Sequence, residues 1–241
     1  MSTYVLIHGG WQGSWCWNKV APLLQQAGHQ VIAPDLPGHG LDKTPATARP
    51  YELYVPRVCD VLKEEAEPVI LLGHSSGGNI ITSIAERRPE KIKVLVYLAA
   101  FLTLDDSPRE IMNEDTESIL MECLVRDENQ LTVHIIPERA REVFYADCSD
   151  EIAEWAINQL VPEPIVQPNE SGVPMTFRNF ERIPRVYIEC FQDKALGPKI
   201  QKRMYTALPC QRVYSLSTSH SPFLSDPYGL AQCLLDIGGV F

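Results

Sequence analysis

Short apolar runs and longer amphipathic stretches alternate along most of the 241-residue chain. The apolar runs fall at residues 3–8, 30–35, 69–74, 94–100, 185–191 and 212–216. They are short, rich in Val, Ile, Leu and Tyr, and bounded by polar or Gly/Pro residues, which is how strands read. Helical stretches lie between them at residues 15–27, 56–65, 76–88, 199–208 and 227–237, the third stopped by Pro89. Nearly continuous apolar strands separated by helices predict an α/β fold, a mostly parallel sheet of about six strands with helices on both faces.

The alternation breaks between residues 104 and 182. This stretch is acidic and helix-forming at residues 109–125, 137–145 and 149–160, and shows no strand pattern. Ser149 before Asp150 and Glu151 is a helix start, and Pro162, Pro164, Pro168 and Pro174 mark a non-helical return. The expected organisation is a core of residues 1–103 and 182–241 with a helical cap inserted at 104–181. Such a cap would roof a pocket at the strand ends, where α/β sheets bind ligands. A separate small domain is the weaker reading, because so few large apolar side chains would make a poor core of their own.

Composition narrows the function. Hydrophobic residues make up 45% of the chain, enough for a full core. A net charge of −10 and a pI near 5.1 argue against nucleic acid or an anionic membrane surface as partner. No stretch reaches the ~20 apolar residues of a membrane span. The chain enters its first strand at Tyr4 with no basic leader before it, so a cytoplasmic location is expected. The seven cysteines are odd in number and lack C-x-x-C spacing, which speaks against a disulfide framework and a zinc site. Monomer and homodimer both stay open.

The chemistry centres on Gly73-His74-Ser75-Ser76-Gly77, which reads G-x-S-x-G between a predicted strand and a predicted helix. In that context the pattern is a sharp turn that pushes a serine hydroxyl up beside a helix N-terminus. A serine so placed needs a base. Of six histidines, His74 should point away from Ser75, His29 lies at the opposite sheet edge, and His134 lies in the insertion. His8 and His39 sit in Gly-rich loops and read as loop-bracing residues. His220, in the loop after the last strand, shares the sheet edge of Ser75. The carboxylate to orient it is Asp193, just past the fifth strand, preferred over Asp105, Asp106 and Glu189. The oxyanion donors would be the N–H of Ser76 and, from the loop after the first strand, the N–H of Gly10. Trp11, Phe101 and Phe223 are placed to wall a ligand pocket, with Phe144, Trp155 and Met175 as further candidates from the insertion.

His8-Gly9-Gly10, Asp35-Leu36-Pro37-Gly38-His39-Gly40, Gly73-His74-Ser75-Ser76-Gly77-Gly78, Asp193 and His220 together resemble the α/β-hydrolase fold superfamily over the whole chain. Trp15-Cys16-Trp17, the single insertion and Ser219-His220-Ser221-Pro222-Phe223 are similar to a subgroup within it. That subgroup holds plant methyl esterases, hydroxynitrile lyases and bacterial pyrethroid-hydrolysing carboxylesterases. The resemblance implies a Ser75–His220–Asp193 triad, no cofactor and no metal, and a small-molecule ester cleaved through an acyl-enzyme. The lyases carry a lysine where this chain has Ser221 and a threonine where it has Gly9, differences that favour hydrolysis. A lyase-like chemistry and a small-molecule receptor on a retained hydrolase fold are the alternatives.

Overall fold

The structure is a computed structural model and describes residues 1–103, 108–128, 131–165 and 176–241. The elements run β1 (Thr3–Ile7), α1 (Ala21–Gln26), β2 (Gln30–Ile32), α2 (Tyr51–Glu64), β3 (Val69–His74), α3 (Gly77–Arg87) and β4 (Ile92–Leu98). There follow α4 (Pro108–Glu114), β5 (Leu124–Arg126), β6 (Thr132–Ile135), α5 (Pro137–Phe144), α6 (Asp150–Ile157) and β7 (Glu163–Pro164). The chain closes with β8 (Arg185–Cys190), α7 (Pro198–Ala207), β9 (Arg212–Leu216), α8 (Pro222–Ser225) and α9 (Pro227–Val240).

Among the described residues, six strands form one parallel sheet in the order β2-β1-β3-β4-β8-β9. The central strands explain why their sequences are apolar without alternation. Every residue of β3 is buried, and β4 is buried except at one position. Helices cover both faces, so neither side of these strands meets water. At the carboxyl ends of β1, β3, β8 and β9 the chain turns into the loops that carry Gly10, Ser75, Asp193 and His220.

Helix boundaries shift for local reasons. The predicted helix at 15–27 splits into a 3-10 turn, Ser14–Trp17, and α1, because Pro22 begins a new helix more readily than it continues one. Helix α2 begins at Tyr51, ahead of Pro56, which lies inside it. Buried Tyr51, Tyr54 and Val55 anchor that first turn despite the hydrogen bond lost at the proline. Strand β2 is short, and Asp35 beyond it accepts from the backbone N–H of Ser14 and of Leu41.

The expectation of a strand-free insertion is corrected. Strands β5, β6 and β7 pair antiparallel into a second sheet, within which Leu124 faces Ile135 and Thr132 faces Pro164. Each is too short to display the alternation that marks a strand in sequence. The predicted helix at 109–125 is correspondingly divided into α4, a 3-10 turn at Leu120–Cys123 and β5. Ser149 does cap α6, its side chain accepting from the Ile152 N–H at 3.4 Å. Pro168, Pro174, Asp105, Asp106 and Met175 lie outside the described residues. Among those described, no helix is long and apolar enough to cross a membrane, and no cluster of His, Cys, Asp or Glu could hold a metal ion.

Candidate active site

Ser75 sits between β3 and α3 with φ of +52°, in the left-handed region that a side chain rarely adopts. Surrounding bonds hold it there. Its N–H donates to Leu98 O at 3.2 Å, and its carbonyl accepts from Gly78 N–H and Phe101 N–H, both at 3.1 Å. Strained backbone over-determined by its neighbours in this way clusters at active sites. Ser75 and Ser76 remain partly exposed while the flanking Gly73, His74, Gly77 and Gly78 are buried.

His220 and Asp193 meet in the interior. The His220 Nδ1 lies 2.7 Å from Asp193 Oδ2, and the two side chains are 2% and 0% exposed. Every lone-pair direction of the carboxylate is used. Oδ1 accepts from the N–H groups of Ala195 (2.7 Å) and Leu196 (2.9 Å), and Oδ2 also accepts from Gln201 Nε2 at 3.1 Å. Gln201 is pinned in turn by Cys190 and Leu196. A carboxylate fixed by four donors makes the Nδ1–H tautomer of His220 the favourable one and leaves its Nε2 free to accept a proton. Glu189, the other candidate in β8, is occupied by Tyr205 OH and Ser215 Oγ.

His74 bridges the Ser75 turn and the loop that carries His220. Its Nε2 lies 2.9 Å from the His220 carbonyl, and its ring is 4.5 Å from the His220 ring. Burial, then the neighbouring His220, holds its pKa well below the usual histidine range, so it stays neutral and donates from Nε2. The insertion also grips the loop that carries His220. Asp147 accepts from the Ser219 N–H at 2.9 Å and from the Ser219 hydroxyl, and the Phe144 ring lies 5.6 Å from the His220 ring.

The loop after β1 passes directly over Ser75. A Cβ on Gly9 would lie 2.8 Å from His74 Nδ1 and 2.9 Å from Ser75 Cβ, so only glycine fits this approach. Among the described residues no acceptor meets the N–H of Gly10 or of Ser76. Two unspent donors thus flank the serine.

The predicted wall residues divide. Trp11 is half-buried, 5.7 Å from Phe144, and with His220 the three form an aromatic run over the site. Phe101 is 7% exposed and is tied through its N–H to Ser75. Phe223 is fully buried between the rings of Trp17 and His74, and so props the site from beneath and offers a ligand no face. Trp155 packs edge-on against Trp15 at an outer groove with Lys19 and Leu224.

One cluster has no counterpart in the sequence patterns. Glu163 of β7 reaches back to the loop after β1, where its Oε2 accepts from Trp11 N–H at 2.8 Å and lies 2.7 Å from His39 Nε2. The pair is 1% (His39) and 13% (Glu163) exposed. His39 was legible as a loop brace, but its partner lies 124 residues along the chain and follows no local pattern.

Comparison with known proteins gives a uniform result. The model of the alpha/beta hydrolase family matches residues 4–232. A pyrethroid hydrolase from Sphingobium wenxiniae is 36% identical over 96% of this chain and 86% of its own length. Methylesterase 17 of Arabidopsis thaliana is 31% identical over 96% of this chain and 90% of its own. Among solved structures, polyneuridine aldehyde esterase superposes with a TM-score of 0.86 at 26% identity, covering 99% of both chains.

Proposed function

The chain belongs to the alpha/beta hydrolase family, and from that premise we propose that this carboxylic ester hydrolase works through Ser75, His220 and Asp193 by way of an acyl-enzyme. The observation that carries the reading is the strained Ser75 whose neighbour His74 packs against the buried His220–Asp193 pair, with unpaired N–H groups at Ser76 and Gly10. His220 Nε2 takes the Ser75 proton as the hydroxyl attacks the ester carbonyl. Asp193 stabilises the imidazolium that forms. The N–H groups of Gly10 and Ser76 receive the oxyanion, a contact worth about 3 kcal/mol per donor. His220 then protonates the departing alcohol, and water repeats the sequence to release the acid.

Residues 104–181 act as a cap in this reading, and the half-buried Trp11, backed by Phe144, gives the pocket an aromatic wall. The relatives named for methyl esters and for pyrethroids share the ester carbonyl and little else, which suits a pocket selected by apolar shape. Gly9 supports hydrolysis over lyase chemistry, since a threonine there would drive its Cβ into His74 and Ser75. Gly9→Ala is accordingly expected to lower kcat by about 10- to 100-fold, by displacing the oxyanion loop, while circular dichroism stays native. A change below threefold would mean that the loop can shift without cost to catalysis.

The reading is tested by the pre-steady state. With p-nitrophenyl acetate, stopped-flow should show a burst of about one p-nitrophenol per chain, and a fluorophosphonate should label Ser75 in the peptide map. Labelling elsewhere, or folded protein with neither burst nor turnover, would remove the proposal.

A further inference from the structure

Gly10 lies between two peptide units, and each is held by a side chain that takes no part in the chemistry. The Gly9–Gly10 unit is held at its carbonyl, 2.8 Å from His8 Nδ1. His8 Nε2 accepts from Leu36 N–H at 3.1 Å, so Nδ1 carries the proton and donates. Burial and the charge of His39 push His8 down to about 4, consistent with a neutral ring. A trans peptide points its N–H opposite to its C=O, so anchoring the Gly9 carbonyl aims the Gly10 N–H. The Gly10–Trp11 unit is held at its other end by Glu163, which accepts from Trp11 N–H and would lie 3.2 Å from a Cβ on Gly10.

Trp11 makes the second anchor necessary. Its φ is +61°, a conformation costly for a bulky side chain. Three bonds hold it there, all from the insertion: Glu163 to its N–H, Val161 N–H to its carbonyl at 2.9 Å, and Val133 O to its indole N–H at 3.0 Å.

His39 completes the arrangement. Its Nε2 faces Glu163 Oε2 at 2.7 Å and its Nδ1 faces Pro37 O at 3.2 Å, so both nitrogens meet acceptors. The ring satisfies both only when doubly protonated. Its other neighbours do not supply that charge. The His8 ring, 5.2 Å away, is neutral, and the Tyr54 ring, 5.7 Å away, has its hydroxyl pushed further into the protonated form, mainly by burial. Asp35 adds a favourable carboxylate nearby but spends its bonds on the loop. Burial opposes the imidazolium, yet Glu163, the Pro37 carbonyl and Asp35 together outweigh it and hold the His39 pKa above the usual value.

We infer that Glu163, ion-paired with His39, is a positioning residue for ester hydrolysis: it locks the Gly10–Trp11 peptide so that the Gly10 N–H meets the oxyanion. The imidazolium cancels a carboxylate charge that would otherwise oppose the developing oxyanion beside it. The inference rests on the reading of Gly10 as an oxyanion donor.

The test compares wild type, Glu163→Ala and Glu163→Gln with p-nitrophenyl butyrate, with active sites titrated by a fluorophosphonate so that kcat refers to intact sites. Glu163→Ala should lower kcat about 10- to 100-fold with KM within about threefold, as misplacement of an aligned group by ~1 Å does. Glu163→Gln keeps an acceptor for Trp11 and should recover kcat to within about fivefold. As pH rises through the His39 pKa, above its usual ~6.5, wild type loses the imidazolium and keeps the carboxylate, so its kcat should fall relative to Glu163→Gln. The stability given by the pair should be lost over the same window. Equal kcat per titrated site in Glu163→Ala, a change confined to KM, or Glu163→Gln as impaired as Glu163→Ala would overturn the inference. If Glu163→Ala gives no titratable sites, a pH-independent ratio of Glu163→Gln to wild type overturns it alone. Turnover that survives Ser75→Ala would instead remove the hydrolytic reading on which the inference depends.

Discussion

Ser75→Ala is expected to lower kcat for any ester the protein turns over by roughly 10⁴- to 10⁶-fold, with the fold intact. The size follows from what the hydroxyl does. In the proposed mechanism, its loss removes the acyl-enzyme and leaves the N–H groups of Gly10 and Ser76 only to assist attack by water, a residual catalysis of about 10³- to 10⁴-fold over the uncatalysed rate. The backbone of the turn does not depend on the hydroxyl. The N–H of residue 75 still meets Leu98 O, and its carbonyl still accepts from Gly78 and Phe101. Alanine tolerates φ of +52° no better than serine, so the melting temperature should move by only a degree or two. Steady-state kinetics on p-nitrophenyl esters of rising acyl length, with both proteins at matched purity, reads the effect directly. Retention of more than about 1% of the wild-type kcat would assign the chemistry to another group.

Asp193→Asn should come next, at about 10⁴-fold in kcat, and the reason is a proton in the wrong place. The amide oxygen can replace Oδ1 and keep the N–H groups of Ala195 and Leu196. The amide nitrogen must then face His220 Nδ1 and Gln201 Nε2, where Oδ2 accepted from both. A donor opposite His220 Nδ1 favours the tautomer with its proton on Nε2, which cannot accept one from Ser75. The same donor against Gln201 leaves a buried clash worth about 1–3 kcal/mol. The variant should therefore lose both rate and thermal stability, whereas Ser75→Ala loses rate alone. A near-wild-type kcat in Asp193→Asn would mean that His220 is oriented by something else.

How far these positions were legible depended on how local their signals are. Gly73-His74-Ser75-Ser76-Gly77 could be read because the strand before it and the helix after it are contiguous with it in sequence. Asp193 and His220 could be read because each follows a strand whose apolar run is unambiguous. The direction of Phe223 is not legible from its proximity to His220, because the chain turns at Pro222 and the ring lies between Trp17 and His74. The short strands of the insertion were invisible, since three or four residues cannot establish a period of two. Glu163 and Asp147 were out of reach for another reason. Each is an acidic residue in an acidic segment, and only the folded chain brings it against Trp11 or Ser219.

The order of strands in the main sheet also governs how the protein is made. Strand β4 ends at Leu98, and its sheet neighbour β8 begins only at Arg185. On a ribosome adding about 5–20 residues per second, the open edge of β4 waits roughly 4–17 seconds for its partner. That edge is long and apolar, the kind that recruits strands from other chains. Newly made polypeptide is thus exposed to aggregation through a gap that the finished enzyme conceals. Yield on overexpression should respond to slower translation or to a chaperone that shields strand edges, even where no substitution alters the stability of the folded protein.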